Sequence, residues 1–461
     1  MIGYNAPDIS LLLSPGSIAV ISANFETGHV GGRVLLNLQK SKYQGKVYPV
    51  HPRYDEAFGM KAYPTLMSIS NRVDTVVITL PLKSILPILA DCVEKMVKFI
   101  VIPSIDCNES EEAKLHCRKI LKAFSEESGI RVLGPDCPGL FNIGSSVGIS
   151  CTSYYEPNRL QYGGISLISQ GEGLGRTILD ANDRGIGFNH WISTGDEADL
   201  EISDFINYLA NDSATKVIFV IVERLKDEWA FRYAAEAANK AGKPIIVLSI
   251  SHSEHGVDKR IHPAIFKELG VIQVHDLDEM INVGWLFLKY ANPQGNRIGI
   301  FSYSDGAARL LAEKCRRGNL LVPDITNETK DKIQGLLPDE VAPSNPINSK
   351  IHAHPDMSRV RTCLERFSND PNVDIVFVLF SFKVGIYTEM LARHTVEIAQ
   401  RMKKPIVPLW TSLSGEREVA YEILVDSKLP FYTTADACVK AVKHFTEYSM
   451  KRLVFKEEHT S

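Results

Sequence analysis

A chain of 461 residues is too long for a single hydrophobic core, and at about 100–200 residues per domain it should fold as about three. Its 51 Lys and Arg stand against 55 Asp and Glu, a formal charge of −4 that removes the electrostatic case for a nucleic-acid or anionic-membrane partner. The eight cysteines form no Cys-x-x-Cys pair, which argues against a disulfide framework or a thiolate metal site, and MIGYNAPDIS lacks a basic leader. With no apolar run near the ~18 residues of a membrane helix, a reducing cytoplasm is expected.

Short apolar, β-branched runs alternate with amphipathic stretches in three cycles, the pattern of βα units around parallel sheets. The first holds strands at Ser17–Ser22, Val47–Val50, Thr75–Leu80, Phe99–Pro103 and Arg131–Leu133, with helices such as Val30–Gln39 and Ser110–Glu127. After the turn-rich Tyr154–Gly164 come strands Ile165–Ser169, Val217–Val222, Ile245–Ile250 and Val271–Val274 and a helix Leu277–Tyr290. Ala291–Asn296 reads as a linker, and a third cycle follows with Arg297–Ser302, Asp374–Phe380 and Pro405–Trp410. The expectation is an α/β protein: a Rossmann-like domain over residues 1–150 and two flavodoxin-like parallel-sheet domains over 160–290 and 296–455.

The first strand runs into Asn24-Phe25-Glu26-Thr27-Gly28-His29-Val30-Gly31-Gly32, directly before a helix. Glycines let the backbone approach a pyrophosphate, and the free amides and ~+0.5 charge of a helix start attract the anion. A structural tight turn has the same spelling, so context decides. A nicotinamide site wants an acid about 20 residues on, at the end of the second strand. Here that strand ends at His51 and Arg53, cations suited to a phosphorylated ribose, which points to CoA or NADP without choosing between them.

SIAVIS-AN-FETGHVGG, GKVYPVHPRYDEAFGMKAYPTL and GIRVLGPDCPGLFN resemble the CoA-binding domain of the NDP-forming (ADP-forming) acyl-CoA synthetases, relatives of the succinyl-CoA synthetase α chain. Residues from Gly163 to Glu223 resemble that family's flavodoxin-like second domain, and Ser344–Asn348 with DPNVDIVFVLF its third, so the likeness covers nearly the whole chain. The resemblance implies the reaction acid + CoA + ATP to acyl-CoA + ADP + phosphate, with a phosphoryl-carrying histidine. It also implies a separate ATP-grasp β subunit, since no P-loop stands here, and a homo- or hetero-oligomer. Gly28, His29, Val30, Gly31 and Arg53 fall where the family holds coenzyme A or acyl-CoA, Pro103 and Ser104 near its pantetheine arm. Glu223 matches the glutamate that orients the histidine; a buried structural acid is the alternative.

Two departures bear on the phosphoryl step. Where the family has a loop with Ser-His-Thr-Gly, this chain passes from Ser253-Glu254-His255-Gly256 to Ala264-Ile265-Phe266 with roughly a dozen residues fewer, and the carrier histidine falls in the gap. His252, His255 and His262 flank it, but a travelling carrier needs a long loop. The family's Ser-Gly-Ala-Leu-Gly is Ser169-Gln170-Gly171-Glu172-Gly173-Leu174-Gly175 here. A carboxylate ~4 Å from a phosphate is repelled by several kcal/mol at an effective dielectric of ~20. Glu172 therefore either points outward or replaces the anion, in which case it can act as an acid/base. Three readings remain: a ligase α chain with His255 as carrier, a nucleotide-independent acyltransferase or thioester-processing enzyme using Glu172 or Glu223, and a non-catalytic acyl-CoA sensor or assembly module.

Overall fold

The computed structural model describes residues 6–81, 84–103, 110–152, 160–171, 173–250, 253–254, 257–258, 263–290, 295–350, 356–382, 384–412 and 418–460. The chain divides into two compact units, Met1–Leu277 and Asp278–Ser461.

Among the described residues the first unit holds two large sheets and two short two-stranded ones. Strands β1 (Ser17–Ser22), β2 (Lys46–Val50), β3 (Thr75–Thr79), β4 (Phe99–Val101) and β5 (Arg131–Leu133) form a parallel sheet in the order β2-β1-β3-β4-β5. The chain winds outward in both directions from β1, so the loops after β1 and β3 diverge and leave a crevice at the carboxyl ends, the place where open α/β sheets bind ligands. Every residue of β1 is buried, as a strand covered on both faces must be. Ile18 and Val20 share a core with Val34, Leu35 and Leu38 of helix α1 (Val30–Lys40); Ala19 and Ile21 face the opposite core. Each such fully buried side chain contributes about 1.5–3 kcal/mol.

The hairpin β6 (Gly139–Asn142) and β7 (Val147–Ser150) leaves this sheet and joins the next. With β8 (Tyr162–Ser169), β9 (Phe188–Ser193), β10 (Val217–Val222), β11 (Ile245–Ser249) and β12 (Ile272–Val274) it makes a seven-stranded sheet, β12-β11-β10-β8-β9-β6-β7. β6 pairs antiparallel to β9 through Leu140↔Ile192 and Phe141↔Trp191, and the Phe141 and Trp191 rings stack at 5.4 Å. Asn37 of α1 donates to the Ser150 and Thr152 carbonyls at 2.8 and 3.0 Å, fastening the helix between the two sheets. The start of α1 therefore faces the end of the second sheet.

In the second unit β13 (Ile298–Ser302), β14 (Ile347–Asn348), β15 (Ile375–Phe380) and β16 (Ile406–Trp410) form a parallel sheet ordered β14-β13-β15-β16. Its chain opens with the helix Leu277–Lys289, where Phe287 packs on Phe445 and Tyr448 and the Asn282 carbonyl accepts from the Tyr432 hydroxyl. Among the described residues no helix is long and apolar enough to cross a membrane.

Candidate functional site

The turn between β1 and α1 is shaped from within. Ser22 Oγ accepts from the Asn24 amide at 3.2 Å and donates to its carbonyl at 2.8 Å, and Asn24 Oδ1 accepts from Glu26 N at 2.7 Å. Two of the glycines are there for close packing: a Cβ on Gly31 would lie 2.0 Å from Ser22 Oγ, and one on Gly32 2.1 Å from the Glu26 carbonyl. At Gly28 a Cβ would meet nothing within 4 Å, so the protein itself does not demand glycine there. His29, the N-cap of α1, makes no side-chain capping bond, and among the described residues the amides of Val30, Gly31 and Gly32 donate to no backbone carbonyl. Open amides at the positive end of an eleven-residue helix, beside a glycine that leaves room, fit the diphosphate of a nucleotide-bearing ligand.

The second-strand tip divides its roles. His51 is buried with both ring nitrogens engaged: Nδ1 accepts from the Arg53 amide at 3.0 Å, so Nε2 carries the proton and donates to the Ala23 carbonyl at 3.1 Å. The ring braces one loop against the other and has no nitrogen left for a phosphate, contrary to the expectation of a second cation at this tip. Arg53 is exposed, and its guanidinium makes no ion pair among the described residues.

Beside α1 lies a cavity of about 460 Å³. Val30 and Arg33 line it from the helix, Pro103 from the end of β4, Asp136–Pro138 and Cys151 from the chain around the β6–β7 hairpin, and Gln170, Gly171, Gly195, Asp196, Glu223 and Arg224 from the second sheet. The loop after β5 and the loop after β9 are joined by Asp196 N to the Pro135 carbonyl at 2.8 Å and Ala198 N to the Gly134 carbonyl at 2.9 Å. Gly195, at φ +60°, must be glycine, since a Cβ would stand 2.3 Å from the Pro135 carbonyl. Asp196 accepts from Arg118 at 2.7 Å and lies 3.7 Å from Arg224, which neutralises it.

Glu223 is half-buried at the end of β10 and faces this cavity. Its position is set by Gln170, which is buried; Oε1 of Gln170 accepts from the Glu223 and Arg224 amides at 2.7 and 3.0 Å. Behind the wall Glu197, 2% exposed, takes bonds from Thr194 Oγ1 and the Ile202 amide, and burial pushes its carboxyl above the usual range against the pull of Gln170 and Lys226. Burial likewise raises the Cys137 thiol, which keeps it protonated and inert.

The structure thus brings Val30, Pro103 and Glu223 to one cavity, with Gly28, His29 and Gly31 at the helix start beside it. Arg53 lies at the neighbouring strand tip. Ser104, Glu172 and His255 lie outside the described residues. Arg33, Gln170 and Arg224 were missed in the sequence; only Arg33 carried a signal, since a first-turn side chain on a helix reaches back toward the N-terminus.

Residues 16–142 match the family described as a CoA binding domain, and residues 162–287 the succinyl-CoA ligase like flavodoxin domain. The α subunit of an ADP-forming acetate–CoA ligase II of Pyrococcus furiosus is 30% identical over 445 residues, covering 92% of this chain and 94% of its own. This chain belongs to the ADP-forming acyl-CoA synthetase family. The ADP-forming acetate–CoA ligase of Methanocaldococcus jannaschii is 29% identical, and the 4-hydroxybutyrate–CoA ligase of Nitrosopumilus maritimus 27%; this chain spans 64% of the length of each. The acyl-CoA synthetase fold recurs in the apo dinucleotide-forming acetyl-coenzyme A synthetase 1 of Ca. Korarchaeum cryptofilum, with a TM-score of 0.88 over 98% of this chain and 99% of that one at 22% identity. A Pyrococcus horikoshii OT3 crystal structure matches with a TM-score of 0.82 at 27% identity, covering 96% and 99%.

Proposed function

We propose that this chain is the CoA-binding, α-type part of an ADP-forming acyl-CoA ligase, making a thioester from a small carboxylic acid, CoA and ATP with release of ADP and phosphate. The observation that carries the reading is the open helix start of Val30–Gly32, free of side-chain capping and set beside a cavity that ends at Glu223. In this reading Gly28, His29, Val30 and Gly31 hold the diphosphate and Arg53 the phosphate on the ribose. Pro103 and Ser104 line the pantetheine path. Bound CoA supplies the thiol that the acyl group joins. Glu223, fixed at a strand end and without an ion-pair partner among the described residues, orients the phosphoryl-carrying histidine. The nucleotide comes from an ATP-grasp β partner, in a hetero-oligomer, and the cysteines suit a reducing cytoplasm.

The missing residues before Ala264 favour one second reading, thioester chemistry without a phosphoryl carrier. Among the described residues between Ser249 and Pro263, Ser253–Glu254 pairs antiparallel with Val257–Asp258. In the first reading His255 carries phosphate; in the second Glu172 or Glu223 serves as the acid/base.

The test is calorimetric titration of the purified chain with CoA and acetyl-CoA, followed by mixing with an ATP-grasp partner from the same genome, γ-labelled ATP and a panel of short acids. Binding of CoA, then CoA-dependent release of ADP with a labelled histidine, is the expected result. Thioester turnover without nucleotide would put the second reading in its place, and a chain indifferent to millimolar CoA would remove both.

A further inference from the structure

One of the four tryptophans differs from the rest in exposure. Trp191, Trp285 and Trp410 are buried, whereas Trp229 is 79% exposed. It is the second residue of the helix Glu228–Lys240, which follows β10, and Tyr233, one turn on, is 47% exposed on the same face. Ala230, Phe231, Ala234 and Ala235 already supply the buried face of that helix, so packing within the fold does not use the indole. Aromatic area left in water is unfavourable, and tryptophan and tyrosine so placed are the side chains that anchor protein interfaces.

Beside Trp229 opens a cleft of about 570 Å³, walled by the helix Glu111–Ser128 and by the starts of the helices Ile202–Asn211 and Glu228–Lys240. Seven carboxylates and three cations line it. Two of the cations are already engaged: Arg131 holds Asp199 at 2.8 Å, and Lys226 donates to the Asp196 and Glu197 carbonyls. Asp227 accepts from the Trp229 and Ala230 amides at 2.8 and 3.0 Å, which closes that helix start to an anion. Burial first, then the neighbouring Glu197, Asp204 and Asp227, raises the Glu201 carboxyl to about 7, so these acids share one field. The cleft therefore selects a cation, and the indole at its rim offers a π face on which a guanidinium stacks.

Place decides which cation. The loop Glu223–Asp227 joins two cavities: Glu223 and Arg224 line the site described above, Lys226 and Asp227 the acidic cleft. A protein that brings a nucleotide to that site comes to rest within one loop's length of this rim. We propose that Trp229, Tyr233 and the acidic cleft are the docking surface for the ATP-grasp partner, which presents an arginine-bearing segment to them. This rests on the proposed function above and names the partner's contact. Complementary charge of this kind makes an association fast and salt-sensitive.

The experiment titrates the full chain with the purified ATP-grasp subunit encoded in the same genome, by calorimetry and by acrylamide quenching of tryptophan fluorescence. With the other three tryptophans buried, quenching reads Trp229. Complex formation should shield it, and affinity should fall as salt is raised. Trp229→Ala should weaken the complex roughly tenfold or more. Trp229→Phe should keep part of the affinity and Trp229→Leu should not, because leucine has apolar area but no π face. Glu228→Lys should weaken the complex by a similar factor, and all four variants should bind CoA as the unaltered chain does. An unaltered chain that does not bind the partner, or a complex in which Trp229 stays open to acrylamide, would overturn the proposal. So would full affinity in Trp229→Leu or an affinity indifferent to salt, since no cation would then hold the surface. If CoA itself does not bind, the CoA-binding reading fails first and takes this one with it; if CoA binds and the partner ignores Trp229, this one falls alone.

Discussion

Gln170 holds the main chain at Glu223: its Oε1 accepts from the Glu223 amide at 2.7 Å and the Arg224 amide at 3.0 Å, while Nε2 donates to the Arg224 carbonyl at 2.8 Å. One carboxamide thus satisfies three backbone groups at the end of β10 and fixes where the Glu223 carboxylate enters the cavity. Gln170→Ala leaves those groups unpaired in a partly buried place and should cost about 1–3 kcal/mol, measured by urea unfolding. Thioester formation should fall toward the level of Glu223→Gln, because an unpositioned glutamate is nearly as ineffective as a neutral one. A Gln170→Ala variant with full turnover would show that Glu223 needs no strap.

The glycines of the first turn separate ligand demands from packing demands. Gly31→Ala drives a Cβ to 2.0 Å from Ser22 Oγ and Gly32→Ala to 2.1 Å from a carbonyl oxygen, so both should be destabilised, by roughly 1–3 kcal/mol. Gly28→Ala meets open space, and its melting temperature should stay close to that of the unaltered chain. If a diphosphate lies on this turn, Gly28→Ala should still weaken CoA binding, roughly tenfold or more, because the added methyl occupies the approach. Unchanged affinity in Gly28→Ala, read by titration calorimetry, would place the diphosphate elsewhere.

Much of this was written plainly in the chain. SIAVIS, TVVITL and VIFVIV are continuous β-branched runs, and the strands formed there are buried on both faces. The glycine turn announced itself by spacing. What stayed hidden was polar or short. FNHWIS forms β9 although Asn189 and His190 interrupt its apolar pattern; both are buried, and Asp212, Thr215 and Ser166 engage them. GLFN and VGIS are too short and glycine-bearing to stand out, yet they carry the chain from the first sheet into the second. Of the site, the loop residues were legible because a turn has a spelling. Gln170 and the pairing of Asp196 were not, because they depend on which loops meet, and no local pattern records that.

Glu201 gives a pH dependence of one sign. Burial raises its carboxyl to about 7, helped by Glu197, Asp204 and Asp227, from an ordinary 4.5. In the unfolded chain it ionises first, so between pH 4.5 and 7 the folded state binds more protons and stability falls as pH rises. Glu201 is also the N-cap of the helix Ile202–Asn211, where its amide donates to the Asp204 carboxylate at 2.9 Å and its carbonyl accepts from the Asp204 amide at 3.1 Å. Glu201→Gln keeps that main-chain cap and removes the charge. The variant should melt several degrees higher at pH 8 and no differently at pH 4, as scanning calorimetry would read; a variant less stable at pH 8 would mean that the charge is worth more to the cap than its burial costs.

His190 gives the opposite sign. It is 3% exposed, its Nδ1 lies 3.2 Å from Ser166 Oγ, and its Nε2 finds no partner among the described residues. Burial lowers its pKa from 6.5 to about 4, with Asp212 pulling the other way. Between those values the unfolded imidazole is protonated and the folded one is not, so the unfolded state binds more protons and stability falls as pH drops from 6.5 to 4, by at most roughly 3 kcal/mol. Below pH 4 this contribution is constant, and above 6.5 it is fully present. His190→Asn should be less stable at pH 7.5, since the ring packed against Tyr208 is lost, yet it should lose less on acidification than the unaltered chain. Urea midpoints at pH 7.5, 6.0 and 5.0 for both proteins isolate the difference in slope; parallel lines would assign the acid sensitivity to the carboxylates and clear His190 of it.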